Sequence, residues 1–129
     1  MIIIDTSAWI EFLRDTGSPA CDRVDALLDD EIGTCHPIRM EVLAGARDEQ
    51  HLGDLRGLLA LPALLPTEAT DYEDAASLYR TCRQHGETVR RLIDCLIAAI
   101  AIRTSSTLLH CDKDFEALDR HTPLQVERP

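Results

Sequence analysis

Short apolar runs alternate with longer segments of helical periodicity along the whole chain of 129 residues. The first run, residues 2–5, is β-branched and typical of a buried strand. Further strands are predicted at residues 32–35, 63–65, 107–111 and 123–127. Parallel strands need crossover connections, which are usually helices, so this alternation predicts a parallel sheet with helices on both faces. We therefore expect an α/β fold with a central, mostly parallel sheet, in one domain spanning residues 1–129.

Seven helices are predicted between these strands. Thr6 or Ser7 is expected to cap the first helix, which runs to about residue 15 with Trp9, Phe12 and Leu13 facing inward. The helix at 92–103 is apolar on nearly every side, so we expect it to be central and buried. The remaining helices are predicted to begin at Pro19 and Pro37, to cover residues 52–59, to follow a cap at 67–70, and to cover residues 114–120.

Four carboxylates stand beside elements that should be buried. They are Asp5 after the first strand, Glu41 within an apolar segment, Asp94 before the apolar run 95–102, and Asp112 after the fourth strand. Buried acids are costly unless they are hydrogen-bonded, paired or bound to a cation. Function in parallel sheets gathers at the carboxyl ends of strands near a topological switch point. If the first and fourth strands are neighbours, Asp5 and Asp112 meet there, and the helix that begins near Asp94 can reach the same place.

Each acid also has an ordinary structural interpretation. Asp5 could be a turn residue, Asp94 a cap or first-turn acid, and Glu41 an exposed helical position. Asp112 and Asp114 could form a turn and the N-cap of the following helix. If every acid had only its ordinary structural role, the sheet topology would have brought them together by accident. The acids taken together therefore favour a shared site.

An all-oxygen set of side chains is suited to Mg²⁺ or Mn²⁺. Clustered carboxylates repel one another until a cation relieves the repulsion. Such a cation makes water more acidic, and that water can attack a phosphorus atom. The chain contains no G-x-S-x-G motif, no Cys–His nucleophile signature and no Gly-rich phosphate loop. The acids therefore favour metal-dependent phosphodiester hydrolysis over nucleophilic catalysis by a side chain.

The composition limits which cell compartment and which kinds of partner we expect for this protein. No apolar run approaches the roughly 20 residues that cross a bilayer, and the N-terminus has no secretion signal, so we expect a cytoplasmic protein. The five cysteines are odd in number and lack a C-x-x-C pair, which predicts free thiols, and the five histidines lack zinc-type spacing. The net charge of −10 argues against a nucleic-acid coat protein but not against a nuclease, and it favours a basic protein partner.

Arginine supplies almost all of the positive charge, since Lys113 is the only lysine. Four arginines fall within twelve positions and form a candidate RNA-binding patch: Arg80, Arg83, Arg90 and Arg91. A solvated helix face followed by a loop explains the same spacing equally well.

Four segments together resemble a known family. "IIIDTSAWIEFL", "PIRMEVLAGA", "RRLIDCLIAAIAI" and "LLHCDKDFEAL" occur in the order and at the spacing of PIN-domain proteins, specifically the VapC-type toxins of bacterial toxin–antitoxin pairs. With the connecting helices, the resemblance covers essentially the whole chain. It implies that Asp5, Glu41, Asp94 and Asp112 form a catalytic acidic quartet at a Mg²⁺ or Mn²⁺ site, with Asp114 as an additional acid.

The resemblance implies further roles and partners. Thr6 or Ser7 would position Asp5 or a water at the metal. The protein would form a homodimer and would bind a VapB-type antitoxin, whose basic C-terminal segment inserts a basic residue into the acidic pocket. The family has a polar Thr or Arg near the position where this chain has His110 and Cys111, so no polar helper can be carried over there.

We therefore expect an endoribonuclease that cuts single-stranded or loop RNA, such as tRNA or rRNA. The alternative from another class is a non-catalytic receiver domain, which has a similar length, the same sheet type and acids that bind magnesium. A receiver domain needs an acid pair after its first strand, where this chain has Asp5 and Thr6, and an aspartate after a central strand, where residues 64–67 offer none. A purely structural interaction domain leaves the acids unexplained.

Overall fold

The computed structural model describes every residue from Met1 to Pro129. Five strands and seven helices follow one another much as the sequence predicts. The strands are β1 (Ile2–Ile4), β2 (Ile32–Thr34), β3 (Ala63–Leu64), β4 (Thr107–Leu109) and β5 (Gln125–Glu127). The helices are α1 (Thr6–Leu13), α2 (Pro19–Leu27), α3 (His36–Ala44), α4 (Glu49–Leu58), α5 (Ala69–Gln84), α6 (Leu92–Arg103) and α7 (Lys113–His121).

The five strands form one sheet in the order β3-β2-β1-β4-β5, and every pair is parallel. Strand β1 is central and pairs with β4 over its whole length, with Ile2 opposite Thr107 and Ile4 opposite Leu109. The chain first builds outward through β2 and β3 and then returns to the other side of β1. The switch point therefore lies between β1 and β4. The predicted α/β class and parallel sheet are confirmed.

The strand order also separates this fold from the receiver alternative. Receiver domains have the order 2-1-3-4-5, in which the third strand is central. Here β3 is a two-residue edge strand, and no acid follows it before Glu68. The acid that a receiver domain would phosphorylate has no counterpart in this sheet.

Right-handed crossovers place helices α1 to α4 on one face of the sheet and α5 to α7 on the other. Helices α1 and α2 pack together, and α5, α6 and α7 contact one another, while α3 contacts α6. Helix α6 has the predicted bounds, and from Asp94 to Ala101 every residue except Leu96 is buried. None of the seven helices is both long and apolar enough to cross a membrane.

Helix α1 differs from its prediction at both ends. Trp9 is buried and Phe12 is partly buried against the core, but Leu13, the last residue of the helix, is exposed. The cap is Asp5 rather than Thr6 or Ser7: its carboxylate accepts a hydrogen bond from the Ser7 backbone N–H. The first candidate acid is therefore also the element that starts the helix.

The cysteines are all free thiols, as predicted from their number and spacing. Four of them are buried, and Cys111 is exposed. The buried ones behave as small apolar side chains of the core.

The burial of α6 predicts a steep contrast in stability between two positions on that helix. Replacing the fully buried Ile100 by Ala should lower the free energy of unfolding by about 2–5 kcal/mol, because it leaves a cavity in the core. The control Leu92→Ala, on the same helix but 62% exposed, should change it by only about 0.5 kcal/mol. Urea unfolding followed by circular dichroism measures both; equal losses would contradict the central position of α6.

Candidate active site

Two of the predicted acids lie side by side at the carboxyl edge of the sheet. Asp5 follows β1 and caps α1, and Asp112 follows β4 and caps α7. The Asp5 backbone N–H donates to the carbonyl oxygen of Leu109 at 2.9 Å, which extends the β1–β4 ladder up to the acid itself. The switch point therefore places both acids at the same edge of the sheet, as the strand arrangement requires.

Two further aspartates reach this edge from the first turns of helices. Asp94 lies in the first turn of α6 and is fully buried, and Asp114 lies in the first turn of α7 and is also buried. One carboxylate oxygen each from Asp94, Asp112 and Asp114 lies within 4.8 Å of the others. We call these three residues the aspartate cluster.

Glu41 approaches from helix α3 on the other side of the site. Its Oε1 accepts a hydrogen bond from the Thr6 hydroxyl at 2.9 Å, and its Oε2 lies 3.4 Å from a guanidinium nitrogen of Arg91. The same guanidinium contacts Asp94 and Asp112, so Glu41 belongs to the same charged assembly without being one of the three closest acids. Thr6 thus orients Glu41.

Ser7, the other predicted supporting residue, orients Asp5. Its backbone N–H and its hydroxyl both donate to Asp5 Oδ2, at 2.9 and 2.6 Å. The Ser7 hydroxyl oxygen in turn accepts from the Cys111 backbone N–H at 2.9 Å. One hydroxyl therefore ties the end of β1 to the end of β4.

The second oxygen of Asp5 has no hydrogen-bond partner although it is buried. Burial raises the pKa of Asp5 to about 6, against the lowering effect of the Ser7 hydrogen bonds, and the nearby charge of Glu41 raises it further. A buried carboxylate oxygen without a donor is a costly arrangement unless a cation compensates for it.

Asp94 and Asp114 lie close together and shift each other's pKa in opposite directions. Burial raises the pKa of Asp94 to about 8, and the hydrogen bond to Asp114 adds to the rise, while Arg91 opposes it. Burial also acts to raise the pKa of Asp114, but hydrogen bonds from Asp94 and from Arg90 outweigh it and lower the value. The two shifts have opposite directions, so protonation of this pair is favoured at Asp94 over Asp114.

A buried acid outside the site shows what a purely structural role looks like. Asp71 in the first turn of α5 is fully buried, but Arg103 donates to both of its oxygens at 2.8 and 3.0 Å. That hydrogen bond from Arg103 lowers the pKa of Asp71. Asp71 is satisfied within the protein, whereas Asp5 and Asp94 are held in surroundings that disfavour their charge.

The four predicted RNA-binding arginines separate into two pairs. Arg90 and Arg91 line a cleft of about 420 Å³ together with Thr6, Ser7, Ile10 and Asp112. Both also contact the acids; Arg90 lies 3.4 Å from Asp114 and 3.5 Å from Asp112. Arg80 and Arg83 lie in the last turns of α5 and are not among the residues that line the cleft, and Arg83 lies over the ring of Tyr79.

His110 contributes to the site in a way that the sequence did not reveal. Its ring is fully buried, and its Nδ1 accepts a hydrogen bond from the Asp112 backbone N–H at 3.1 Å. Burial lowers the pKa of His110, which keeps the ring neutral and Nδ1 able to accept. The histidine thus shapes the turn that presents Asp112. Its place two residues before an acid, at the end of an apolar strand, was the available signal.

Three observations indicate that the site suits a divalent metal. Its donors are carboxylate oxygens, which Mg²⁺ and Mn²⁺ prefer. A buried oxygen of Asp5 has no partner within the protein. The aspartate cluster places three carboxylates close enough to repel one another. The residues that would hold such an ion are Asp5 and the aspartate cluster.

Comparison with known proteins identifies relatives of the whole chain. The PIN domain family model matches residues 2–121. Ribonuclease VapC11 of Mycobacterium tuberculosis and the VapC ribonuclease Mb1587 of Mycobacterium bovis are each 48% identical to this chain, over 98% of it and 97% of the relative.

Solved structures agree on the fold. One match is VapBC2 of Rickettsia felis, solved bound to a DNA fragment from its promoter, with a TM-score of 0.80 and 20% sequence identity. The match covers 100% of this chain and 99% of the Rickettsia chain. VapBC-1 of nontypeable Haemophilus influenzae matches with a TM-score of 0.78 over 99% of this chain and 98% of its own, at 21% identity.

The raised pKa of Asp94 predicts how the metal-free protein responds to pH. Between the ordinary value of 3.8 and about 8, the folded state holds a proton that the unfolded state has lost. Asp5, whose pKa is raised to about 6, contributes in the same way at lower pH, so the fall in the free energy of unfolding between about pH 6 and about pH 8 should come from Asp94. Asp94→Asn should flatten this dependence and raise the melting temperature at about pH 8, because the amide needs no proton.

The matched control is Asp119→Asn, an exposed acid on α7. It should retain the pH dependence of the wild-type protein. Melting temperatures measured in a chelator across this pH range test the prediction. An Asp94→Asn protein with the wild-type slope would show that Asp94 is ionised in the folded state.

Proposed function

The chain belongs to the PIN-domain family and, within it, to the VapC ribonucleases, and we propose that it is a Mg²⁺- or Mn²⁺-dependent endoribonuclease that acts as the toxin of a toxin–antitoxin pair. The observation that carries the proposal is the assembly of Asp5, Glu41 and the aspartate cluster at one edge of the sheet. A single structural role does not account for five acids from four separate segments.

In this proposal each acid has a distinct task. Asp5, with its unpartnered oxygen, and the aspartate cluster hold the cation. A divalent cation there supplies Lewis acidity, which makes a water molecule more acidic and stabilises negative charge that develops on phosphate. Glu41, which accepts a hydrogen bond from the Thr6 hydroxyl, would accept a proton from the attacking water.

The substrate in this proposal is single-stranded or loop RNA, such as a loop of tRNA or rRNA. The cleft beside the acids is open and lined by Arg90 and Arg91, which can contact backbone phosphates. Bases in loops are unstacked and can enter such a cleft, whereas those in a duplex cannot. Arg80 and Arg83, at exposed positions of α5, remain candidate contacts for RNA phosphates that lie outside the cleft.

The protein partner in this proposal is a VapB-type antitoxin with a basic C-terminal segment. A second groove, of about 360 Å³, runs between α1, α3 and α4, and Glu41 lies at its edge. The exposed apolar side chains Ile10 and Leu13 line this groove. An apolar segment placed there would bring a following basic residue to the acids, and the net charge of −10 would attract it.

We also propose a homodimer, which the family resemblance implies. The surface best suited to a second copy is a groove of about 650 Å³ between α3, α5 and α6. Met40 and Tyr72 on its walls are each about 60% exposed. Burying such side chains is favourable, and isologous contacts of this kind are the commonest in homodimers.

Removing a metal acid should abolish cleavage without unfolding the protein. Asp5→Asn and Asp94→Asn should each lower the rate of RNA cleavage in Mg²⁺ by at least about 10²-fold, because the cation loses a charged ligand. Melting temperatures should be unchanged or higher, since repulsion is relieved. The control Asp22→Asn, an exposed acid on α2, should cut as the wild type does.

The rates are measured on a pool of total RNA with mapping of the new 5′ ends. Wild-type cleavage by either Asn variant would exclude the proposed metal site. Cleavage by the wild type that persists in a chelator would exclude the metal dependence.

The antitoxin proposal predicts inhibition that depends on charge. A small protein encoded beside this chain, with a basic C-terminal segment, should bind it and stop RNA cleavage, and binding should weaken as salt rises. Glu41→Gln should weaken binding more than Glu49→Gln, an exposed position on α4. Calorimetry at two salt concentrations tests this. Binding that ignores salt and leaves cleavage intact would contradict the proposal.

A further inference from the structure

One arginine occupies the centre of the acidic site. Arg91 is the N-cap residue of α6, three positions before Asp94. Its guanidinium contacts Asp94 through two nitrogens at 3.2 and 3.3 Å, Asp112 at 3.2 Å and Glu41 at 3.4 Å. A single cationic group therefore bridges acids from α3, from α6 and from the end of β4.

The contacts of Arg91 are numerous but long. Strong bonds between a guanidinium and a carboxylate measure about 2.7–2.9 Å. All four contacts of Arg91 are longer than this, whereas Arg103 contacts Asp71 at 2.8 Å in the structural pair that joins α6 to α5. The side chain of Arg91 is also 49% exposed, against 26% for Arg103. Arg91 therefore offsets part of the negative charge of the acids from their solvent-exposed side, and its side chain is not held tightly between them.

The backbone of Arg91 is held independently of its side chain. Its N–H donates to Asp114 Oδ2 at 3.3 Å, and its carbonyl oxygen accepts from the Asp94 N–H at 3.1 Å in the first turn of α6. The long side chain can therefore leave the acids while the helix start stays in place. The space available to it is the cleft, which Arg91 already lines.

The geometry points to Arg91 as an internal cation that competes with the divalent metal for Asp94 and Asp112 and that also pairs with Glu41. This inference rests on the metal site of the proposed function and adds a mechanism to it. In the metal-free protein, Arg91 neutralises part of the acidic charge. When a divalent cation binds, Arg91 gives up the acids and turns to the cleft, where an RNA phosphate would lie.

The exchange has a thermodynamic consequence. If binding of an RNA phosphate draws Arg91 away from the acids, Arg91 no longer competes with the metal for them. RNA and metal then each raise the affinity of the protein for the other, since coupling between two sites is reciprocal. The arginine would link the two binding events through one side chain.

A fixed structural role for Arg91 gives the opposite expectation for metal affinity. If Arg91 served to gather the acids into a binding geometry, its removal would let them spread apart, and the metal would bind more weakly. If Arg91 competes, its removal leaves the acids free for the metal, which then binds more tightly. The direction of the change in metal affinity therefore separates the two roles.

Calorimetric titration of Mn²⁺ into the metal-free, full-length protein measures this direction. Arg91→Gln should bind Mn²⁺ roughly tenfold more tightly than the wild type, because a half-exposed cation in contact with three acids is removed. Arg91→Lys keeps the charge but not the fork of donors, so its affinity should lie between the two. The control Arg56→Gln, exposed on α4, should match the wild type.

A second measurement follows the Arg91 side chain itself in the wild-type protein. In the wild-type protein the Nε–H resonance of Arg91, assigned by its absence in Arg91→Lys, should be protected from exchange by its bond to Asp94. Saturating Mg²⁺, which is diamagnetic, should shift this resonance and remove the protection. The Nε–H resonance of Arg103 is the internal control, since its pairing with Asp71 lies outside the site.

The outcomes separate this inference from the function on which it rests. Unchanged or weaker Mn²⁺ binding by Arg91→Gln, or an Arg91 resonance that Mg²⁺ leaves protected, would overturn the exchange while the metal site stands. The absence of saturable binding in the wild type and in every variant would overturn both. Tighter binding by Arg91→Gln with release of the resonance would support both.

Discussion

Pairing between β1 and β4 is the interaction on which the site depends. These two strands are the central pair of the sheet, and the chain reverses its direction of growth between them. Their carboxyl ends carry Asp5 and Asp112, and the helices that begin beside them carry Asp94 and Asp114. A shift of one residue in this register would turn each side chain to the opposite face of the sheet. The acids meet only because the apolar runs on both strands fix the register.

The carboxyl edge of the sheet is also the part of the fold where buried negative charge is least favourable. Burial raises the pKa of Asp5 to about 6 and that of Asp94 to about 8, whereas the buried Asp71 has its own arginine and a lowered pKa. A fold optimised for stability alone would pair or replace such acids. The protein retains them at the carboxyl edge, where parallel sheets bind ligands, and offsets part of the repulsion with Arg90 and Arg91.

Much of this architecture could be predicted from the sequence, because strand and helix periodicities differ and prolines mark the helix starts. Helix α6 was predicted with its observed bounds since its apolar run has no competing interpretation. The convergence of the acids followed from topology. The sequence did not show that Asp5 caps α1, because capping by Asp5, Thr6 or Ser7 depends on the backbone angles at one turn. Nor could it show that Arg91 faces the acids or that His110 bonds to Asp112, since those contacts join segments up to fifty residues apart or depend on burial.

The acids are spread along the chain from Asp5 to Asp114, and this order matters while the protein is being made. Synthesis proceeds from the N-terminus at about 5–20 residues per second, and β1 stays without its partner on one side until β4 has been translated. Asp5 and Glu41 emerge early, but the aspartate cluster needs residues 94 to 114. A nascent or truncated chain that stops before β4 therefore lacks the acidic site. The topology therefore delays assembly of the acidic site until nearly the whole chain exists.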